Sequence, residues 1–247
     1  MRLSKWKAKR EMAWDFAYAD GLQRHVLSHG DLRIAARGPS PILLFVHGGF
    51  HGAWCWSRFM RFLVTRNIPS AAVNMRGHGG LPQTPDFASA GLNEMVDDVV
   101  EAAAMLGGDV ILVGHSLGAL TAMRAAERIN PVGLVLMAPA PPANVSGFPR
   151  LPAFPPNFVV APPPPARARK WFLGGSRDDD IAPYVTRLCP ESPALLNDCY
   201  HTRFVVDPAW VKGPVLCISG GNDDTALHPA GQDEAVAALY GAQLQKI

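Results

Sequence analysis

Short apolar runs alternate with amphipathic stretches along most of the chain. Continuous apolar segments of strand length occur at Leu32–Ala36, Ile42–Val46, Ala71–Asn74, Val110–His115, Gly133–Met137 and Val215–Ser219. Helical spacing of apolar positions occurs near Cys55–Arg66, Leu92–Leu106, Leu117–Ile129 and Pro229–Tyr240. Strands that are apolar without alternation are buried on both faces, so they belong to a parallel sheet with helices packed on each side. The pattern predicts an α/β domain with a mostly parallel central sheet and no internal repeat. Between Pro139 and Pro165 the rhythm collapses, because 11 of the chain's 23 prolines fall there, including the run Pro162-Pro163-Pro164-Pro165. Proline lacks the N–H that helix and sheet ladders need, so this stretch is expected to be extended and loop-like. A linker or a PxxP docking element is the alternative reading of it.

At 247 residues and 48% hydrophobic content, the chain is long enough for one α/β domain with a large core. Its 23 basic and 21 acidic residues nearly balance, which gives no electrostatic case for a nucleic-acid partner and favours a small, weakly charged ligand. Cys55, Cys189, Cys199 and Cys217 have no paired ligand spacing and are too sparse for a disulfide framework, so a reducing, cytoplasmic setting is expected. Residues 1–22 read as a basic leader, loosely packed or disordered. No apolar run approaches the length of a membrane span, and the leader has no signal-peptide core. Asp178-Asp179-Asp180 reads as a solvated turn or helix start, since no further ligands follow at calcium-loop spacing.

The chemistry is concentrated in Gly114-His115-Ser116-Leu117-Gly118, with a strand pattern before it and a helix pattern after it. A strand, then G-x-S-x-G, then a helix forces the serine onto a tight turn with its hydroxyl raised above the sheet edge. Ser116 is therefore the candidate nucleophile, and side chains at Gly114 or Gly118 are expected to collide with the neighbouring strand and helix. Upstream, the strand Ile42–Val46 runs into His47-Gly48-Gly49-Phe50-His51-Gly52. A glycine-rich turn at a strand's carboxyl end uncovers backbone N–H groups that can hold the negative oxygen of a tetrahedral acyl intermediate. The expected donors are the amides of Gly49 and Leu117, with His47, Gly48, Phe50 and His115 around the pocket.

These pieces, "FVHGGFHGAWCW" at 45–56, "NMRGHGG" at 74–80, "VGHSLGAL" at 113–120 and "VLCISGGNDDTALHPA" at 215–230, resemble the α/β-hydrolases in type and order. The resemblance runs from about Val26 to the last residue. It implies an α/β-hydrolase fold over residues 23–247, with a proline-rich lid at 140–208 between the sixth and seventh strands that sets substrate choice. It also implies a serine mechanism on a carboxylic ester with a small or lipid-like acyl group, without metal or organic cofactor. Hydroxynitrile lyases, cofactor-free haloperoxidases, carbon–carbon bond hydrolases and plant methyl-ester hydrolases share the framework, and fold analogy does not choose among them.

A serine hydroxyl needs a base and a carboxylate to orient it. By the resemblance Asp224 is the carboxylate, with Asp223 as the alternative. The histidine of this fold follows the eighth strand, whose pattern begins near Ala242, and none of the chain's eight histidines lies beyond His228. His201 in the lid is the one substitute base considered. Two expectations follow: a chain truncated before the histidine, with the last strand and helix missing, or a natural pseudo-enzyme that binds without turnover. Either leaves this polypeptide catalytically crippled. Metal hydrolysis is a weak competitor, because Gly48 and Gly49 separate His47 from His51 and argue against a shared helical face.

Overall fold

The computed structural model describes residues 16–38, 41–146, 148, 150–174, 176, 178–202, 204–223 and 228–247. Eight strands form one sheet: β1 (Arg24–Val26), β2 (Asp31–Ala36), β3 (Ile42–Val46), β4 (Ser70–Asn74), β5 (Val110–His115), β6 (Gly133–Met137), β7 (Val215–Ser219) and β8 (Gln243–Lys246). Their spatial order is β1-β2-β4-β3-β5-β6-β7-β8. The first two strands pair antiparallel, and from β4 to β8 every pairing is parallel.

Side chains alternate across a strand, so each apolar run feeds two cores. Leu44, Val46, Leu112, Leu134 and Leu136 face one side, where they meet helices α3 (Leu92–Leu106), α4 (Leu117–Ile129) and α8 (Gln232–Tyr240) through Met95, Leu120, Met123 and Val236. Phe45, Ala72 and Val113 face the other, against Met60 of α2 (Ser57–Val64) and Ala19 of α1 (Ala17–Asp20). The α/β architecture expected from periodicity is therefore present. The helix near Cys55 opens as a tight turn over Ala53–Trp56, and α8 starts at Gln232 rather than Pro229.

Two expectations need correction. The last strand is not missing: a left-handed cap at Gly241 (φ 56°) turns the chain so that β8 lies parallel to β7, with Leu216 opposite Gln243 and Ser219 opposite Lys246. The end of the leader is not loose either, although residues 1–15 lie outside the described ones. Phe16 is buried between Trp54 and Tyr184 in edge-on ring contacts at 5.2 and 5.8 Å, and the Ala19 N–H is bonded to Ser57 Oγ.

Between β6 and β7 the chain builds α5 (Pro165–Phe172), α6 (Asp178–Val185) and α7 (Pro193–Asn197), followed by a wide helical turn over Asp198–Thr202. The proline-rich stretch before α5 is irregular. Among its described residues it forms a β-bridge only where Val160 pairs with Glu191, and it ends where Pro165 takes the first helical position, at which a missing N–H has no consequence.

Candidate active site

Ser116 sits between β5 and α4 at φ 54° and ψ −121°, a conformation a non-glycine residue holds only when its surroundings enforce it. Four backbone hydrogen bonds do so: its N–H donates to Met137 O (2.9 Å), and its carbonyl accepts from Ala119 N–H and Ala140 N–H (3.0 Å each) and from Leu120 N–H (3.4 Å). The flanking glycines are there for space. A Cβ on Gly118 would stand 2.2 Å from His47 O, and one on Gly114 would stand 2.5 Å from Ala119 Cα, so the expected collisions are real.

The turn after β3 packs against this corner with its polar groups assigned one by one. His47, fully buried, donates from Nδ1 to Gly48 O (2.9 Å) and accepts the Met75 N–H at Nε2 (3.3 Å). His51 donates from Nδ1 to Gly49 O (2.5 Å), and its Nε2 is bonded to the Tyr184 hydroxyl. The Phe50 N–H goes to Glu191 Oε2 (2.9 Å), and the Phe50 carbonyl accepts from Cys189 N–H (3.0 Å). The carbonyls are thus tied back, and among the described residues neither the Gly49 nor the Leu117 N–H has a partner. Burial, with the neighbouring imidazole His115, lowers the His51 pKa to about 3; burial and His78 hold His47 well below the usual range. Both rings are neutral hydrogen-bonding struts.

Glu191 anchors the turn from the segment between β6 and β7. Its carboxylate is essentially inaccessible and takes three donors: Phe50 N–H, Ser192 N–H (2.9 Å) and His78 Nε2 (3.0 Å). Burial alone would lower the His78 pKa, but the charge and hydrogen bond of Glu191 raise it overall. Phe50 itself is at φ 67°, so this carboxylate holds a strained non-glycine residue in place. Sequence reading missed the pair because its partners lie 113 positions apart.

Two cavities meet at Ser116. The larger, about 400 Å³, is lined by Gly49, Phe50 and Leu117 below and by apolar residues of the β6–β7 segment above. The smaller, about 80 Å³, is polar and is lined by His115, Asp223, His228 and Gln232. Ser116, Trp171, Phe172 and Tyr200 form the wall common to both. Phe50 and His115 are therefore pocket residues as expected, whereas His47 and Gly48 line neither cavity, because the His47 ring is turned into the core. Burial, with the nearby His228, lowers the His115 pKa to about 4.

Of the two candidate carboxylates, Asp224 lies outside the described residues. Asp223 lies at the end of β7's loop, at the edge of the smaller cavity, and its carboxylate is bonded to the Gly220 backbone. Burial raises its pKa. His201, the considered substitute base, is exposed and bonded through Nδ1 to Leu151 O (3.1 Å), and it lines neither cavity. Besides His115, the imidazole that shares the serine's smaller cavity is His228. Its Nε2 is bonded to Asp233 Oδ1 (2.7 Å), and its Nδ1 faces the Gln232 amide nitrogen at 3.0 Å. Burial opposes protonation of His228, but Asp233 raises its pKa overall. Chain order directs attention beyond β8, whereas the signal for His228 was local: a histidine five positions before an aspartate at the start of a helix. None of the eight histidines is hydrogen-bonded to Ser116, whose side chain lies beside the half-buried Tyr200 in the wall common to both cavities.

Among the described residues one grouping could hold a metal ion, Asp223, His228 and Asp233, with ligand atoms within 4.8 Å of one another. His47 and His51 do not form a pair of ligands, since each has both ring nitrogens committed to different partners. No helix among the described residues is long and apolar enough to cross a membrane.

Comparison with known proteins agrees with this geometry. The chain is 39% identical over 87 residues to a probable esterase of Oryza sativa subsp. indica, a match that covers 34% of this chain and 33% of that protein. It is 26% identical over 165 residues to methylesterase 9 of Arabidopsis thaliana, covering 64% and 58%. The chain thus spans about a third of the length of the rice esterase it matches. Among solved structures, a methylesterase from Arabidopsis superposes with a TM-score of 0.68 at 20% identity, covering 84% of this chain and 89% of that one. A thermophilic esterase from Thermogutta terrifontis superposes at 0.64 and 19% identity, covering 91% and 89%. The model of the alpha/beta hydrolase family matches residues 43–247. With the elbow, the glycine turn and the sheet order in place, the chain belongs to the alpha/beta hydrolase family.

Proposed function

We propose that this chain carries the acyl-transfer centre of a serine hydrolase acting on carboxylic esters. The observation that carries the reading is the strained Ser116 corner, whose side chain faces a large apolar cavity and a small polar one beside two amides without partners. Ser116 Oγ attacks the ester carbon, and the Gly49 and Leu117 N–H groups receive the oxyanion, an interaction worth about 3–4 kcal/mol per donor in such sites. The proton given up by the Ser116 hydroxyl passes through water to the leaving oxygen as the C–O bond to the alcohol breaks, leaving an acyl-serine and the free alcohol. Water then releases the acid and restores the hydroxyl.

The two cavities divide the substrate. About 400 Å³ of apolar space suits the acyl group, with residues 140–208 as its lid. About 80 Å³ suits an alcohol of two or three heavy atoms, given a water's share of about 30 Å³. The relatives named as methylesterases support a small alcohol. Asp224, or Asp223, supplies the carboxylate of the triad. No imidazole is hydrogen-bonded to Ser116, and both nitrogens of His228 are committed, so turnover by these residues is slow, at about 10³–10⁴-fold over water. That same observation favours a second reading, a ligand-binding protein without turnover.

Hydrolysis of ethyl butyrate, read as release of butyric acid, with intact-mass analysis tests the proposal. Slow release with a butyryl adduct, both lost in Ser116→Ala, is expected. Equal release by both proteins overturns catalysis by Ser116, and a ligand-induced rise in melting temperature without product supports the binding reading.

A further inference from the structure

We infer that the acyl half of the substrate carries an anionic group, a free carboxylate, bound by Arg167. The inference rests on the acyl-transfer reading and adds the substrate class: half-esters of dicarboxylic acids with an apolar spacer.

The walls of the larger cavity are contributed by Leu151, Phe154, Val160, Pro163 and Leu196 among others, and Arg167 is the one charged side chain among its lining residues. Arg167 is exposed overall and contributes to the wall of an apolar cavity, and the planar fork of donors of its guanidinium matches a carboxylate. Its position is set by α5. Pro165 starts that helix, and Arg167 lies four residues before Trp171, with Cζ 5.4 Å from the Trp171 ring centroid. The indole holds the cation at the cavity wall and supplies no negative charge. Among the described residues no carboxylate pairs with Arg167.

The surrounding sequence deepens this asymmetry. Residues 138–177 contain Arg150, Arg167, Arg169, Lys170 and Arg177 and no aspartate or glutamate, in a chain whose net charge is only +2. The buried carboxylate nearest the floor of the cavity, Glu191, is committed to Phe50, Ser192 and His78. Asp178-Asp179-Asp180 follow directly at the start of α6, so what singles out Arg167 is its place as the one charged residue lining the larger cavity.

Location assigns the charge to one side of the ester bond. Arg167 belongs to the larger cavity and not to the smaller one or to the wall they share. The group it meets is therefore part of the acid, not of the alcohol. One guanidinium also matches one negative charge, which favours a carboxylate over a phosphate dianion.

Isothermal titration of the full chain in its Ser116→Ala form measures this without turnover, using monomethyl azelate, which bears one free carboxylate, and the neutral dimethyl azelate. The monoanion should bind about five-fold more tightly, the upper end for a partly exposed ion pair. Arg167→Gln should make the two affinities equal, Arg167→Lys should retain part of the preference, and raised salt should shrink it. No preference in the parent protein, or an unchanged preference in Arg167→Gln, overturns the inference. Loss of ethyl butyrate turnover through Ser116 would instead count against the acyl-transfer reading and leave these binding results standing.

Discussion

Replacing Glu191 by alanine removes the acceptor for Phe50 N–H, Ser192 N–H and His78 at a site with both side chains at 1% exposure or less. Breaking a buried pair by deleting one partner costs about 3–5 kcal/mol, because the other charge is left without compensation. In a domain of this size each kcal/mol lowers the melting temperature by about 2–4 °C, so Glu191→Ala should fall by about 6–20 °C. Glu191→Gln, which keeps an acceptor but no charge, should fall by less. The pair also has a pH signature. His78 has a folded pKa raised above 6.5, so its contribution is complete below pH 6.5 and is lost as pH rises through the folded pKa. The gap between parent and Glu191→Ala should therefore narrow on the alkaline side. Thermal unfolding followed by circular dichroism from pH 5 to 9 reads both quantities, and a double variant with His78→Phe should cost less than the sum of the singles. A loss under about 1 kcal/mol, within the range of an exposed pair, or strict additivity with His78→Phe would refute the reasoning.

Gly118→Ala should be among the most damaging single-methyl changes, since its Cβ would stand 2.2 Å from His47 O and 2.6 Å from Val46 O, both backbone atoms. Urea unfolding should show a loss beyond about 3 kcal/mol, the upper end for overpacking, and a near-native midpoint would contradict the close approach. Acid stability has its own prediction. His51 and His115, with pKa values lowered to about 3 and about 4, stay neutral in the fold while the unfolded chain binds their protons below pH 6.5. Each should therefore cost about 1.4 kcal/mol per pH unit below 6.5 until its folded pKa is reached. His51→Phe should flatten that acid limb by one histidine's share, as read by urea midpoints at pH 6.5 and 5, and an unchanged limb would contradict it.

The strands β3, β5, β6 and β7 and the helices α3 and α4 were legible to the residue, because their apolar runs are bounded by residues that end them. Strand β1 was not. Arg24-His25-Val26 has no apolar pattern, and it forms because β2 offers it an edge to pair with. Helices α5 and α7 were hidden for a different reason: each begins at a proline, Pro165 and Pro193, while of α6 only the start at Asp178 was legible because Pro183 inside it erases helical periodicity. At the site, Ser116 and the glycine turn announced themselves because strained corners need particular residues locally. Glu191, His78 and Tyr200 gave no such sign, since their roles depend on contacts across the sheet's upper edge between segments far apart in sequence. His228 was passed over because the order of the fold's catalytic residues directs attention beyond β8, whereas the cavity is defined by proximity in space.

Labelling by a fluorophosphonate, with the adduct mapped by peptide mass spectrometry and its rate measured with and without added imidazole, tests the central claim most directly. One label per chain at Ser116, formed faster when imidazole supplies the base that no histidine places on the serine, and absent from Ser116→Ala, is the predicted result. Absence of any adduct at Ser116, or equal labelling of the alanine variant, would contradict it.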